Sequence, residues 1–330
     1  MRIHSAQLFH VETPNEAARS RGDRLAGFML GILALAPLAL LAALFASLGW
    51  RLWPLIQAAQ VEGRTVLQAL AALVFGQVWR PLQGLFGLWP FIMGTFWVTM
   101  IAMLVAVPPC LLVALYLAEY ARPRLAGFLK PLLDLLAGIP SVVYGLWGML
   151  TIVPFVGWLG PHLGRWSGGL PLLTSNNPTG FSLLAAGLVL AVMVAPFIIA
   201  MTYEVIKAAP HGPYQAALAL GATRWQAIRS AVWPQSRPGV GAAVVLGAAR
   251  ALGETMAVMM VVGNIAQVPR SLFDAAYPLP ALIANNYGEM MSIPLYDSAL
   301  LGAAFVLLIV VFGFNLLAQM VLRQMKRGQG

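Results

Sequence analysis

Six stretches of the chain are apolar enough and long enough to be read as membrane spans, and that leaves few folds open. They run about Leu25–Leu48, Phe91–Leu117, Leu125–Pro154, Phe181–Thr202, Val240–Val262 and Ser298–Leu322. Each reaches the roughly 20 residues that an α-helix needs to cross a bilayer. With no water there to satisfy the backbone, such a run folds as a helix. The expected fold class is therefore all-α, a polytopic membrane protein of about six transmembrane helices. Composition agrees: 60% of the 330 residues are hydrophobic and 9% are charged, where a soluble domain is roughly 25% charged. A seventh apolar stretch, Thr65–Val78, has only 14 residues, the length of an interfacial or buried helix.

The basic residues set the orientation. With six spans and a cytoplasmic N-terminus, 14 of the 20 Lys and Arg fall inside, counting Lys130 near the inner end of the third span, five fall outside (Arg51, Arg64, Arg80, Arg165 and Arg270), and Arg250 lies within a span. Positive charge collects on the cytoplasmic side, so both termini are expected there. The net charge of +9 is scattered between apolar runs rather than gathered on a polar face, which argues against nucleic acid. The partner of the surface is membrane lipid.

The first apolar run has 24 residues, longer than a signal-peptide core, and its flank mixes acids with bases. It reads as an uncleaved first span. The expected organisation is a cytoplasmic N-terminal segment, 1–24, followed by one transmembrane domain, 25–330. That domain includes an outer segment, 49–90, that is partly helical and interfacial, and a cytoplasmic loop, 204–239. His162, Asn264, Asn285 and Asn286 read as outer-loop residues. Asn315 reads as an interhelical hydrogen bond, and Met256, Met259 and Met260 as apolar packing.

The loop holds "HGPYQAALALGATRWQAIRSAVWPQSRPG", His211–Gly239. Tyr214–Leu220 are good helix formers and Gly221 interrupts them. Thr223 is placed to N-cap a second helix, Arg224–Trp233, which Pro234 is expected to stop. Within the third span, "GIPSVVYG" removes a helix hydrogen bond at Pro140 and admits close backbone approach at Gly138 and Gly145, so a kink or break is expected there. Freed amides near such a break can meet an anion; the alternative is a packing kink steadied by Ser141.

The fifth span carries the two charges that most need explaining. Arg250 lies about 15 Å into a span that starts near Val240, close to the midplane. An ionised side chain at that depth costs about 2.5–3.5 kcal/mol on insertion scales. Glu254 follows four residues later, on the same face of a continuous helix, where the two can pair. One reading is a self-neutralising pair or interhelical staple. The other is an anion path, because a guanidinium offers a planar fork of donors suited to an oxyanion.

These segments resemble a known family. Gln215-Ala216-Ala217, Gly221 and Pro234 stand in register with the "EAA…G…I-LP" loop of ATP-binding cassette importer permeases, with Gln215 in place of Glu, Ala231 of Ile and Trp233 of Leu. "LLAGIPSVVYGLWG" (Leu135–Gly148) and "GAARALGETMAVMMVVGN" (Gly247–Asn264) are similar to the phosphate-specific permeases, PstC type, and the likeness runs from about Phe91 to the C-terminus. The resemblance implies a type I importer permease fold in the bacterial inner membrane. It implies an ATPase-docking role for Gln215, Ala216, Ala217, Gly221 and Pro234, and a substrate path at Arg250 and Glu254, with Pro140, Ser141 and Tyr144 as candidates at the path or helix break. The implied partners are a second permease subunit (PstA type), a homodimeric ATP-binding subunit, and a periplasmic or lipid-anchored phosphate-binding protein.

The chain is not expected to be an enzyme. A phosphate-binding Walker loop needs Gly-Lys-Ser/Thr, whereas Lys130, Lys207 and Lys326 precede Pro, Ala and Arg. No His, Asp and Cys cluster has catalytic or metal-ligand spacing, the single cysteine, Cys110, allows no disulfide framework, and no cofactor is implied. Two alternatives stay open: an importer of another oxyanion (molybdate, sulfate or phosphonate), and a stand-alone proton-coupled carrier using Glu254.

Overall fold

A computed structural model describes residues 16–61, 63–166, 170, 172–173, 177–289 and 292–327. Among these, the chain is helical almost throughout. Residues 1–50 and 51–330 form two separate compact units. The first is helix α1 (Glu16–Arg51), whose apolar side chains from Phe28 to Leu44 are exposed within the chain, as a surface meant for lipid or for another subunit must be.

In the second unit, α2 (Trp53–Val61) and α3 (Val66–Phe75) precede a two-residue hairpin, β1 (Trp79–Arg80) and β2 (Leu85–Phe86). Thr65 N-caps α3 in a capping box with Gln68, each side chain closing an amide that the helix leaves open. Thr65–Val78 is thus a short helix and not a span. Trp79 packs edge-on against Phe86 and Phe91, at ring distances of 5.6 and 5.2 Å. Segment 49–90 is partly helical, as expected.

The core is a helix pair, α4 (Trp89–Leu115) and α8 (Leu183–Lys207). Val98, Ala102, Ala106 and Cys110 recur every four residues on α4, and all are buried. Leu190, Val194 and Ile198 answer them on α8. In lipid there is no hydrophobic drive between helices, so association rests on close packing and small residues. Gly187 is the clearest case: a Cβ there would lie 2.4 Å from Cγ2 of Ile101.

Around this pair lie α5 (Pro123–Ala137), α6 (Ser141–Trp147), α7 (Val153–Trp166), α9 (His211–Ala219), α10 (Arg224–Ala227), α11 (Trp233–Leu252), α12 (Met256–Met259), α13 (Leu279–Asn286) and α14 (Tyr296–Arg327). Among the described residues, five helical stretches are long and apolar enough to cross a membrane: Ala26–Val61, Trp89–Tyr120, Ser141–Gly164, Leu183–Lys207 and Tyr296–Arg323. Two expected spans differ from the observed helices. The third begins at Ser141, because Gly138–Pro140 separates α5 from it, and it runs past Pro154. The fifth, Val240–Val262, is divided at Gly253 into α11 and the short α12.

Pro154 and Pro234 both sit inside helices, the second against the expectation that it stops its helix. A widened turn, Gly148–Ile152, precedes Pro154, and another, Ile228–Val232, precedes Pro234. In each the following amide reaches back five residues, Val153 N–H to Gly148 O and Trp233 N–H to Ile228 O. Proline cannot donate to the carbonyl four residues earlier and its ring clashes with that carbonyl; the wider turn relieves the clash and the helix continues. The second helix of the loop therefore does not stop at Trp233 but leads on into α11.

Candidate functional site

The loop after α8 is built as two helices at an angle. Gln215 and Ala216 are exposed on α9 and Ala217 is half-buried. Ala216 O accepts the amide of Leu220 and Ala217 O that of Ala222, each at 3.1 Å. Gly221 makes the corner at φ +86°, a conformation that costs any other residue but glycine. Thr223 then N-caps α10 and Gln226 returns the bond to the Thr223 amide at 2.8 Å. Leu220 and Trp225 flank the corner, 89% and 55% exposed. An apolar corner of this kind fits a docking surface. Pro234 lies half-buried beyond it, in the first turn of α11.

Arg250 and Glu254 lie where two helices break. Arg250 is in the last turn of α11, where the carbonyl end of a helix favours a cation. Gly253 N–H bonds Arg250 O at 3.3 Å and Glu254 N–H bonds Ala251 O at 3.2 Å, tight bonds that close the helix. Pairing four residues apart needs an unbroken helix. Because α11 ends at Leu252, the two side chains diverge, and among the described residues no ion pair joins them. The pairing that a four-residue spacing allows is thus not made among the described residues.

Each charge has its own surroundings. Nη2 of Arg250 donates to Ala137 O at 3.3 Å, and the guanidinium lies 5.3 Å from the Phe197 ring centroid on α8, a cation–π contact. The rest of the side chain is exposed. Glu254 is half-buried and accepts from Ala257 N–H at 3.3 Å. Its residue borders a cavity of about 10 Å³ shared with Thr95, Thr99 and Pro278, room for a single water.

The "GIPSVVYG" segment is brought against this break. Pro140 precedes α6, Ser141 opens it, and Tyr144 Oη donates to Leu136 O at 2.8 Å. A Cβ on Gly145 would lie 2.7 Å from Sδ of Met260 and 3.0 Å from Cα of Ala257, so glycine is what lets α6 and α12 touch. Met260 packs as expected. Pro140, Tyr144 and Arg250 thus meet at one junction. The residues expected to dock an ATPase lie toward the other end of α11 and are not part of it.

Some polar residues are placed differently from expectation. His162 is on α7 rather than in a loop, and its Nδ1–H donates to Trp158 O at 2.7 Å. Asn285 and Asn286 close α13, with Asn286 donating to Tyr277 Oη at 2.7 Å. Asn315 donates to Val311 O of its own helix at 2.9 Å, and among the described residues it makes no cross-helix bond. Asn264, by contrast, lies in a loop as expected; it adopts φ +53° and donates to Met259 O at 2.8 Å, and with Asn177 and Thr179 it lines a cavity of about 350 Å³. Phe197, Thr95 and Thr99 carry no charge or motif, and Ala137, although inside the Leu135–Gly148 motif, contributes only a backbone oxygen, so no local signal in the sequence singles them out.

Comparison with known proteins agrees with this architecture. Residues 110–327 match the family described as binding-protein-dependent transport system inner membrane component. The chain is 37% identical, over 99% of both sequences, to the phosphate transport system permease protein PstC of Xylella fastidiosa strain Temecula1. It is 37% identical to PstC 2 of Mycobacterium tuberculosis strain H37Rv over 72% of this chain and 74% of that one. It is 36% identical to the probable ABC transporter permease protein YqgH of Bacillus subtilis strain 168, over 79% of each. Among solved structures, a bacterial ABC transporter involved in alginate import superposes with TM-score 0.54 at 18% identity, covering 93% of this chain and 99% of that one. An inward-facing form of the MetNI methionine ABC transporter gives TM-score 0.50 at 21% identity, covering 72% and 94%. With the family match spanning most of the chain and a relative aligned end to end, this protein belongs to the binding-protein-dependent transport system inner membrane components.

Proposed function

We propose that the chain is the transmembrane permease subunit of an ATP-driven phosphate importer, and that the anion passes Arg250 on its way. One observation supports this reading of the site most: a guanidinium held between two helix breaks by a carbonyl and an aromatic ring, with no carboxylate on it. Such a cation keeps donors for an oxyanion. Phosphate is favoured over other oxyanions by the names that the relatives carry. Glu254, capping the Ala257 amide, is a separate negative charge beside the path, which limits how tightly the anion is held. The chain itself supplies transport and no ATP hydrolysis. Its partners are a second permease of the PstA type, a pair of ATP-binding subunits seated at the Gly221 corner, and a phosphate-binding protein on the outer face. It lies in the inner membrane with both termini cytoplasmic.

The test is radiolabelled phosphate uptake by the assembled importer, normalised to complex in the membrane. Arg250→Gln is expected to lower uptake about 10–100-fold, the loss of a hydrogen bond to a charged group. Arg250→Lys keeps the charge without the planar fork and retains part of the activity. Adding Glu254→Gln to Arg250→Gln is not expected to restore uptake, because the two are not a pair. Near wild-type uptake in the doubly neutral chain would reduce both residues to structural roles. ATP hydrolysis stimulated by sulfate- or molybdate-loaded binding protein, and not by phosphate-loaded protein, would move the cargo to that anion.

A further inference from the structure

The α5–α6 junction is a helix cut by a residue that cannot donate. In a continuous helix, Leu136 O and Ala137 O would accept the amides of residues 140 and 141. Pro140 has no amide proton, and Ser141 instead opens α6. Asp134 O and Leu135 O keep a backbone partner in Gly138 N–H, at 3.2 and 3.1 Å. The two carbonyls that lose their usual amide at the break are met by side chains, Leu136 O keeping one long backbone bond besides. Tyr144 Oη donates to Leu136 O at 2.8 Å, with Ile139 N–H at 3.3 Å beside it. Arg250, from 113 residues away, donates to Ala137 O at 3.3 Å. Carbonyls left open at a helix end are costly, and more so away from water.

We infer that Tyr144 is a positioning residue for Arg250 in transport, acting through the carbonyl end of α5. By closing Leu136 O, the phenol leaves Ala137 O as the carbonyl for the guanidinium. That sets one depth for the cation, against the Phe197 ring, with its remaining donors turned outward. Without the phenol hydroxyl, Leu136 O competes for the same guanidinium and draws it along α5, away from Phe197 and from the anion. The two motifs that contain Tyr144 and Arg250 are then one device: a proline opens two carbonyls, and the second of them holds the cation that the anion meets. This inference rests on the reading that Arg250 contacts the transported anion.

The test is a double-mutant cycle on the assembled importer in proteoliposomes, with labelled phosphate, reading apparent KM and maximal rate separately. Tyr144→Phe is expected to raise the apparent KM about fivefold, the worth of one hydrogen bond, with the maximal rate per complex within about twofold. Pro140→Ala supplies an amide that can take Leu136 O, so adding Tyr144→Phe to it should leave the KM of Pro140→Ala nearly unchanged. A KM penalty of equal size in both backgrounds, an unchanged KM, or a fall in rate alone would overturn the inference. If Tyr144→Phe does not assemble, the Pro140→Ala double variant decides: assembly with the KM of Pro140→Ala supports it, and failure to assemble overturns it. If Arg250→Gln transports normally, the path reading falls and this inference with it. If Arg250→Gln is defective while Tyr144→Phe is neutral, only this inference falls. Should the wild-type importer move sulfate instead of phosphate, the cargo reading falls and the same cycle, run with sulfate, decides the inference.

Discussion

Replacing Gly221 separates two reasons why a side chain at the loop corner would matter. The residue sits at φ +86°, and a Cβ there meets no atom within 4 Å. Any penalty within the chain therefore comes from backbone conformation and not from a clash. The left-handed region costs an ordinary L-residue about 1–2 kcal/mol, which lowers the population of the bent loop about 5–30-fold relative to competing shapes. Asparagine tolerates that region better than alanine although it is larger, and valine is worst because it is β-branched. The expected order of function is Gly, Asn, Ala, Val; Gly221→Asp should insert in the membrane but fail to couple, and because aspartate tolerates the same backbone region as asparagine, that failure is ascribed to its charge at the dock. The assay is ATP hydrolysis stimulated by loaded binding protein, together with co-purification of the ATP-binding subunits. If side-chain bulk against a docked partner were the cause, alanine would outperform asparagine, and that order would refute the backbone argument. Full coupling in every variant would show that the corner is not a dock.

Three other perturbations bear on the fold. Gly187→Ala pushes a methyl to 2.4 Å from Ile101, an overpacking that costs about 1–3 kcal/mol; it should lower the melting midpoint in detergent, Ile101→Ala should recover part of the loss, and a neutral Gly187→Ala would contradict the close α4–α8 contact. Lys130 on α5 pairs with Glu204 on α8, and that hydrogen bond and charge raise its ammonium above the ordinary 10.5. The pair's contribution is complete below that ordinary value and is lost as pH rises through the raised one. Both side chains are about half-exposed, so Lys130→Met should destabilise at low salt and neutral pH but not at about 1 M salt, where charges are screened beyond about 3 Å; a salt-independent loss would point to packing. For orientation, in a Cys110→Ala chain an impermeant maleimide should label Gln83→Cys from outside and Gln226→Cys only after permeabilisation, with Ser5 and Gln329, outside the described residues, reporting on the termini; outside labelling at 226 would reverse the topology.

Much of the architecture was legible because the bilayer admits so few answers. Runs such as Phe181–Thr202 have no fold open to them but a helix, and α8 occupies nearly the same residues. The capping signal at Thr223 and the corner at Gly221 were equally plain, since each is a local rule about one residue and its next few neighbours. What misled was proline and glycine read without their surroundings. Pro234 looks like a terminator until the widened turn before it is known, and that turn leaves no mark in the sequence. Gly253 looks like one more small residue in an apolar run, yet it ends α11 and so parts Arg250 from Glu254. The partners that replace that expected pair, Ala137 O and Phe197, could not be found from spacing. One is a backbone atom and the other an unremarkable aromatic, both brought in by tertiary packing.

The widened turn at Ile228–Val232 carries a mechanical meaning. Because it lets the chain pass Pro234 without a break, α10, the turn and α11 follow one another as a single rod from Arg224 to Leu252. At 1.5 Å per residue, the loop end of that rod and Arg250 are about 40 Å apart. A helix resists stretching and compression, so a push applied beside Gly221 is felt at the guanidinium as a displacement of similar size rather than being absorbed along the way. With an ATP-binding subunit seated at the corner, as proposed, force generated in solution acts as a lever on that one charge. The most compliant joint on that line of transmission is the widened turn itself.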